Sequence, residues 1–243
     1  MKIFTKAQLA IATAAFASTL AAAEAQAFTF QKTATSFTDS YSQELLDFFK
    51  SNVNGEREAL SDAQLQELDA STLIFDTSKS VEVYFIDEGA GYKNQVLFSA
   101  ADSEKQMLFG NASKQGSGGS LNAGDGFELS DFGGLPAVAQ FELFIKANGY
   151  NGGTNVYGAN PDENPDGINH ITAFGYNDEA SGEYFTFIGF EDLYNGGDRD
   201  FNDVVLVAKG LTSSADVPEP MSALAVLAVG AVAAGSAVKK KLA

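Results

Sequence analysis

The sequence predicts a mainly β protein, a β-sandwich or jelly-roll-like domain with a short N-terminal helical appendage. Three observations carry this expectation. From Leu73 onward, short apolar runs recur with strand periodicity. Glycine-rich and Asn/Asp-rich turns separate them, among them Gly116-Ser117-Gly118-Gly119, Gly133-Gly134 and Asn151-Gly152-Gly153. Helical spacing is confined to the stretch from Ser40 to about Ala70. Short strands punctuated by turns are the pattern of sandwiches and jelly rolls.

In the helical stretch, Leu45, Leu46, Phe48 and Phe49 fall on one side. Ser61-Asp62-Ala63-Gln64 makes a capping box ahead of Leu65 and Leu68, so two short helices are expected. They would pack on one sheet or lie across an open end. After Leu73, Val81, Val83 and Phe85 alternate against Glu82, Tyr84 and Ile86. Further strands are expected at Gln95–Ser99, Gln106–Gly110, Val138–Ala147, Asn169–Tyr176, Tyr184–Phe190 and Val204–Lys209. The glycine turns are too irregular for a solenoid repeat.

The two ends of the chain read as delivery signals. Lys2 and Lys6 precede an Ala-rich apolar stretch, Ala7 to Ala23, and Ala25-Gln26-Ala27 is an A-x-A cleavage site, so the mature chain is expected to start at Phe28. Ala21-Ala22-Ala23 and Ala23-Glu24-Ala25 fit the same rule and allow an earlier cut. At the other end, Val217-Pro218-Glu219-Pro220 is followed by 18 uncharged residues, Met221 to Val238, and then by Lys239-Lys240-Lys241. A helix of that length spans ~27 Å at ~1.5 Å per residue, close to the ~30 Å of a bilayer's hydrocarbon core. The lysines would stay cytoplasmic and everything before Val217 would lie outside. The expected organisation is a signal peptide at 1–27, a helical segment at 28–75 and a β-sandwich at 76–211. A linker at 212–220 and a transmembrane segment with its basic tail at 221–243 complete it.

Removing Lys2, Lys6, Glu24, Glu219 and Lys239–Lys241 from the 15 basic and 32 acidic residues leaves 10 and 30, a net charge of about −20. That balance excludes nucleic acid, which requires clustered Lys and Arg, and makes small cations the natural partners. With no cysteine in the chain, disulfides cannot staple its loops; a metal is one candidate to do so. About 190 residues suffice for one domain with a sizeable core, and 20 Phe residues can fill it.

The densest chemistry is the run from Gly189 to Val205. It holds Glu191, Asp192, Asp198, Asp200 and Asp203 together with Asn202 and one arginine, Arg199. Two carboxylates ~4 Å apart repel by ~4 kcal/mol at an effective dielectric of ~20, so a folded turn that gathers them needs protons, cations or solvent. Hard oxygen ligands in this number select Ca²⁺. Asp198, Asp200 and Asn202 alternate as calcium loops do, behind Gly196-Gly197. It is not an EF-hand: Asp203 stands where the invariant Gly belongs and Lys209 where the closing Glu belongs, so Glu191 and Asp192 would have to supply the missing carboxylates. The other reading is a solvated acidic hairpin whose Asx side chains cap their own backbone.

Two resemblances can be drawn from these residues. Pro218-Glu219-Pro220, the apolar span and the basic tail resemble the PEP-CTERM signal of exported bacterial proteins. The resemblance implies processing by a membrane-embedded, exosortase-type sorting peptidase and transfer to the cell surface or its exopolysaccharide; a permanent anchor is the alternative. The run Glu191, Asp192, Gly197, Asp198, Asp200, Phe201, Asn202, Asp203 resembles the E-D…G-D-x-D-(F/Y)-N-D signature of a domain family of unknown function. That family occurs in exported bacterial proteins and in large calcium-dependent adhesins. Glu88-Gly89-Ala90-Gly91-Tyr92-Lys93-Asn94 is similar to a second element of the same family. Together they bracket about residues 80 to 210 and imply a calcium-binding β-sandwich. Locally, Gly89 and Gly91 read as turn glycines and Glu88 as a turn carboxylate or a further ligand.

Asp162-Glu163-Asn164-Pro165-Asp166-Gly167 reads as a turn first and as a second cation loop next. His170, the single histidine, reads as a hydrogen-bonded structural residue of a strand. The function expected is that of a non-enzymatic surface protein acting in adhesion, extracellular matrix or biofilm structure. Its expected partners are the sorting peptidase, extracellular polysaccharide or surface proteins, and the membrane before processing. A carbohydrate-binding module is the near variant: Tyr150 and Tyr157 beside Asn148, Asn151 and Asn155 could form a sugar-stacking loop. An enzyme is the rival class, but neither G-x-S-x-G nor H-E-x-x-H is present and imidazole chemistry would run through His170 alone. Paired carboxylates of a glycoside hydrolase are the one catalytic pattern the sequence leaves open.

Overall fold

The computed structural model describes residues 28–53 and 65–214. In chain order, β1 (Thr29–Ser36) leads into α1 (Phe37–Ser40) and α2 (Gln43–Ser51). They are followed by β2 (Gln66–Leu68), β3 (Leu73–Asp76), β4 (Val81–Asp87), β5 (Gln95–Ala100), β6 (Gln106–Phe109) and β7 (Asp125–Gly133). The remaining strands are β8 (Val138–Lys146), β9 (Val156–Gly158), β10 (Ile171–Asp178), β11 (Glu183–Phe190), β12 (Val204–Lys209) and β13 (Thr212–Ser213). The expected leader, the Ser61–Gln64 capping box, the Pro218-Glu219-Pro220 motif and the apolar span Met221–Val238 lie outside the described residues. Among the described residues, no helix is long and apolar enough to cross a membrane.

Two antiparallel sheets face each other, as the strand periodicity predicts. The larger runs β1-β7-β4-β12-β11-β10-β2 and the smaller β13-β3-β8-β5-β6, with β9 pairing on β8. Alternate residues of each strand enter the space between them: Val81, Val83 and Phe85 from β4, Leu206 and Ala208 from β12, Ile188 and Phe190 from β11. They meet Phe75, Phe98, Phe141 and Ile145 of the smaller sheet, with Phe98 and Phe141 stacked at 5.2 Å.

The larger sheet is apolar on both faces, and the helices are the reason. Tyr84, Ile86, Phe185, Phe187, Val205 and Val207 point away from the sandwich and are covered by Phe37, Leu45, Leu46 and Phe49. Helix α2 is capped by Ser42, whose hydroxyl accepts from Leu45 N–H at 3.2 Å. Its Phe49 ring packs 5.6 Å from Phe185 and 5.8 Å from Phe187. Tyr84 and Ile86, paired with Glu82 in the sequence pattern as the polar side of β4, are therefore core residues of a second layer.

The short helical segment expected near the N-terminus is present as α1 and α2, and strands of the sandwich flank it. β1 forms the edge of the larger sheet, pairing with β7 from Thr29↔Gly133 to Ser36↔Asp125, and β3 pairs with β8, so the boundary at Asp76 falls among paired strands. The second helix, expected before and through Leu68, gives way to β2, which pairs Leu68 with Ala173 and Gln66 with Gly175. The free edge of β10 offers ladder hydrogen bonds that outweigh weak helix propensity in so short a segment. The sequence reading also misses β1 and β7, whose polar outward residues dilute the apolar alternation.

Phe49→Ala should cost about 3–5 kcal/mol, the usual range for emptying a buried Phe site. Urea unfolding followed by circular dichroism should show one transition at a lower midpoint. An unchanged midpoint for the strand signal would mean that the helices are an independent appendage after all.

Candidate metal centre

One end of the sandwich collects the turns that matter: the β4–β5 crossing (88–94), the β8–β10 region (147–170) and the β11–β12 loop (191–203). The β11–β12 loop turns sharply. Asn195, Gly196, Gly197, Arg199 and Phe201 all have positive φ, a conformation that costs a non-Gly residue roughly 1–2 kcal/mol. Gly197 is required on a second count, since a Cβ there would run into the Glu191 carboxylate.

The fold brings the predicted carboxylates together in two overlapping groups: Glu191, Asp192 and Asp203, and Glu191, Asp198 and Asp200. Within each, one oxygen from every residue lies within 4.8 Å of the others. Glu191, Asp192 and Asp200 are 1%, 3% and 5% exposed; Asp203 is half-buried and Asp198 exposed. Among the described residues, the ion pairs formed by Lys and His all involve other carboxylates, so no cationic side chain neutralises this group.

Backbone donors aim the carboxylates. Glu191 accepts from Arg199 N–H at 3.2 Å and Leu193 N–H at 3.4 Å, and Asp203 accepts from Asp192 N–H at 2.7 Å. Asn202, the remaining predicted ligand, donates its amide to Asp200 at 2.6 Å. Its amide oxygen lies where a Cβ at Gly89 would fall, and Gly89 N–H donates to its carbonyl at 2.9 Å. Gly89 thus lets the β4–β5 crossing press against the loop. Asn202 orients Asp200 and docks the crossing, while the carboxylates form the two groups.

Electrostatics follow from this burial. Loss of water pushes the Glu191 carboxyl up to about 8, with the charge of Asp203 adding to it. Asp192 rises to about 7 for the same two reasons. Burial also raises Asp200 and Asp203. The side-chain contact between Glu191 and Asp203 favours the protonated form of Glu191 and the ionised form of Asp203. Oxygen-only, anionic and partly buried, the donor set suits a hard divalent cation of the Ca²⁺ type.

The other predicted residues fall around this centre. Glu88 is buried, held above its ordinary value by desolvation, and accepts from Lys114 N–H at 3.2 Å; it staples the 111–117 loop and is in neither carboxylate group. The Asp162–Gly167 segment is a turn: Asn160 caps Asp162 N–H at 3.1 Å, and buried Asn164 ties Gly158 to Ile168. Its Asp166 serves the acidic loop, accepting from Asn195 N–H at 2.8 Å and bonding His170 Nε2 at 2.9 Å. Burial alone would raise Asp166, but the Asn195 and His170 contacts outweigh it and hold the carboxyl low. His170 is fully buried, its Nδ1 2.8 Å from the Glu191 carbonyl and its ring stacked 4.1 Å from Tyr157. It is the structural residue expected. Tyr157, offered with Tyr150 as a sugar-stacking face, is buried by the same stack, whereas Tyr150 is 56% exposed.

Sequence reasoning overlooked Asn94. Fully buried, it donates to Asp192 Oδ2 at 2.6 Å and accepts from Asn148 N–H at 2.9 Å, joining all three turns. Its place at the end of the Glu88–Asn94 motif is the only signal that could have marked it.

Residues 135–210, from just ahead of β8 to just past β12, match the family model described as a domain of unknown function (DUF4114). No curated protein matches the chain. The matched stretch contains the whole acidic loop, Asp166 and His170; Asn94 and the β4–β5 crossing precede it.

With divalent ions chelated, the folded loop retains protons that the unfolded chain releases near pH 4. The unfolding free energy should therefore fall as pH rises from about 4 to about 8, by on the order of a few kcal/mol. Denaturation midpoints measured in EDTA across that range check it. Midpoints rising with pH through the window would contradict the burial of these groups.

Proposed function

We propose that the chain is an exported, non-enzymatic surface protein whose β-sandwich is stabilised by Ca²⁺ and which acts in adhesion, extracellular matrix or biofilm structure. One observation carries the reading: five carboxylates converge at one end of the fold, three of them almost fully buried, and among the described residues none of the five forms an ion pair. Repulsion of ~4 kcal/mol per close ionised pair has to be relieved by protons, solvent or a cation, and a divalent ion relieves it with the carboxylates ionised. Glu191 belongs to both groups and would be the central ligand, with Asp192 and Asp203 on one side and Asp198 and Asp200 on the other. When bound, the ion would supply charge neutralisation and cross-linking of a strained loop.

Export and sorting are proposed from the ends of the sequence. The described fold runs from Phe28 to Ser214, so cleavage after Ala27 and again near Pro218-Glu219-Pro220 would leave both sheets whole. An exosortase-type peptidase is the partner proposed for the second cut.

Ca²⁺ should raise the melting temperature, because binding to the folded state alone stabilises by RT ln(1 + [L]/Kd), about 1.4 kcal/mol at ten times Kd. Asp200→Ala should remove most of the shift and Asp162→Ala little of it, since Asp162 is in neither carboxylate group. Identical melting curves with Ca²⁺ and with chelator would reject the calcium reading.

Mass spectrometry of surface material should find the mature form without Met221–Ala243. Recovery of that segment on surface-exposed protein would favour a permanent anchor instead.

A further inference from the structure

The acidic loop forms one wall of an open cleft of about 450 Å³. Tyr92 from the β4–β5 crossing, Asn148 and Asn155 from the turn after β8, and Asp192, Leu193 and Tyr194 from the acidic loop line it. Among the described residues, four of the six exposed large hydrophobic side chains lie on these three turns: Tyr92 (42%), Tyr150 (56%), Leu193 (44%) and Tyr194 (57%). Exposed aromatic faces gathered around side-chain amides, in a shallow cleft with no deep apolar hole, suit a flat ligand with one apolar face and a polar rim. A pyranose ring has that shape: its C–H face stacks on tyrosine while its hydroxyls pair with amide groups.

One buried residue, Asn94, ties the opposite wall of the cleft to the carboxylate cluster. Asn94 donates to Asp192 Oδ2 at 2.6 Å and accepts from Asn148 N–H at 2.9 Å. Asn148, itself left-handed at φ 49, accepts from Asn151 N–H at 3.0 Å and Gly153 N–H at 2.9 Å and so closes the turn that forms the opposite wall. The position of Asp192 is thereby passed to that wall through one buried amide. A cation that fixes Asp192 fixes both walls.

We propose that this cleft binds a neutral glycan and that the cation preorganises it through Asn94. The proposal rests on the calcium reading above. Tyr92 and Tyr194 are the stacking residues, Asn155 a hydrogen-bonding residue and Asn94 a positioning residue that does not touch the sugar. Preorganisation of this kind changes affinity by cutting the ordering cost of the loop.

The test is affinity electrophoresis of the full chain, in a detergent without a sugar headgroup, through gels containing dextran, mannan, galactomannan or xylan, with Ca²⁺ or with EGTA. Calorimetry with Ca²⁺ alone runs beside it. Retardation by at least one polysaccharide is expected, weakened about tenfold or more by EGTA. Tyr194→Ala, an exposed position outside both carboxylate groups, should lose retardation about tenfold while its Ca²⁺ heats stay as in the parent. Asn94→Ala should weaken retardation even at saturating Ca²⁺. A chain that binds Ca²⁺ but is retarded by none of the four, or equally retarded with Tyr194→Ala, overturns the glycan site and leaves the calcium reading standing. Retardation indifferent to EGTA overturns the coupling, and absent Ca²⁺ heats overturn the calcium reading itself. Retardation relieved by oligolysine and not by free monosaccharide would assign the cleft to basic peptides and also overturn the proposal.

Discussion

Carboxylates held close together without a cationic partner repel one another, most strongly where water is excluded, and the end of the sandwich that holds Glu191, Asp192 and Asp200 buried beside half-buried Asp203 and exposed Asp198 is organised around that repulsion. The surrounding structure works to keep them in place. Backbone N–H groups of Asp192, Leu193 and Arg199 point at Asp203 and Glu191, the loop takes left-handed conformations to let them do so, and Gly197 leaves the room Glu191 occupies. Each of these arrangements costs conformational free energy on its own. In the calcium reading proposed above, a bound ion would offset that cost.

The frame is supported from behind by buried polar residues. Asp166 and His170 clamp the loop from the β10 side, and Asn94 clamps it from the β4–β5 side. Burying these groups is tolerable because each has its hydrogen bonds satisfied. The same residues link the loop to the cleft beside it, so the site's electrostatics and the shape of its neighbouring surface are not independent.

Beneath this end, the larger sheet is sandwiched on both faces, by the smaller sheet and by the α1–α2 layer. Strands β4, β11 and β12, which deliver Glu88, Glu191 and Asp203 to the site end, are its central members and are buried on both faces. Rigid strands at the centre of a three-layer core hold a repulsive loop more firmly than edge strands could, since local opening would expose apolar surface on two sides.

The sequence by itself determined the class of the fold, the position of the acidic loop and the residue types in it. Period-two alternation is set by backbone geometry and shows wherever one face is buried; a run such as Glu191 to Asp203 is dense enough to be seen without a partner. It also marked His170 as structural and the Asp162–Gly167 segment as a turn. The tertiary structure decided what depended on partners distant in the chain. Tyr84 and Ile86 became core because helices cover that face of β4. Gln66–Leu68 became a strand because β10 had an open edge. Tyr157 was withdrawn from the surface by His170, and Asn94 acquired its importance by standing between Asp192 and Asn148, 98 and 54 residues away. Local propensity is written in neighbouring residues, whereas burial and hydrogen-bond pairing are properties of surfaces that meet only when the sheets have formed.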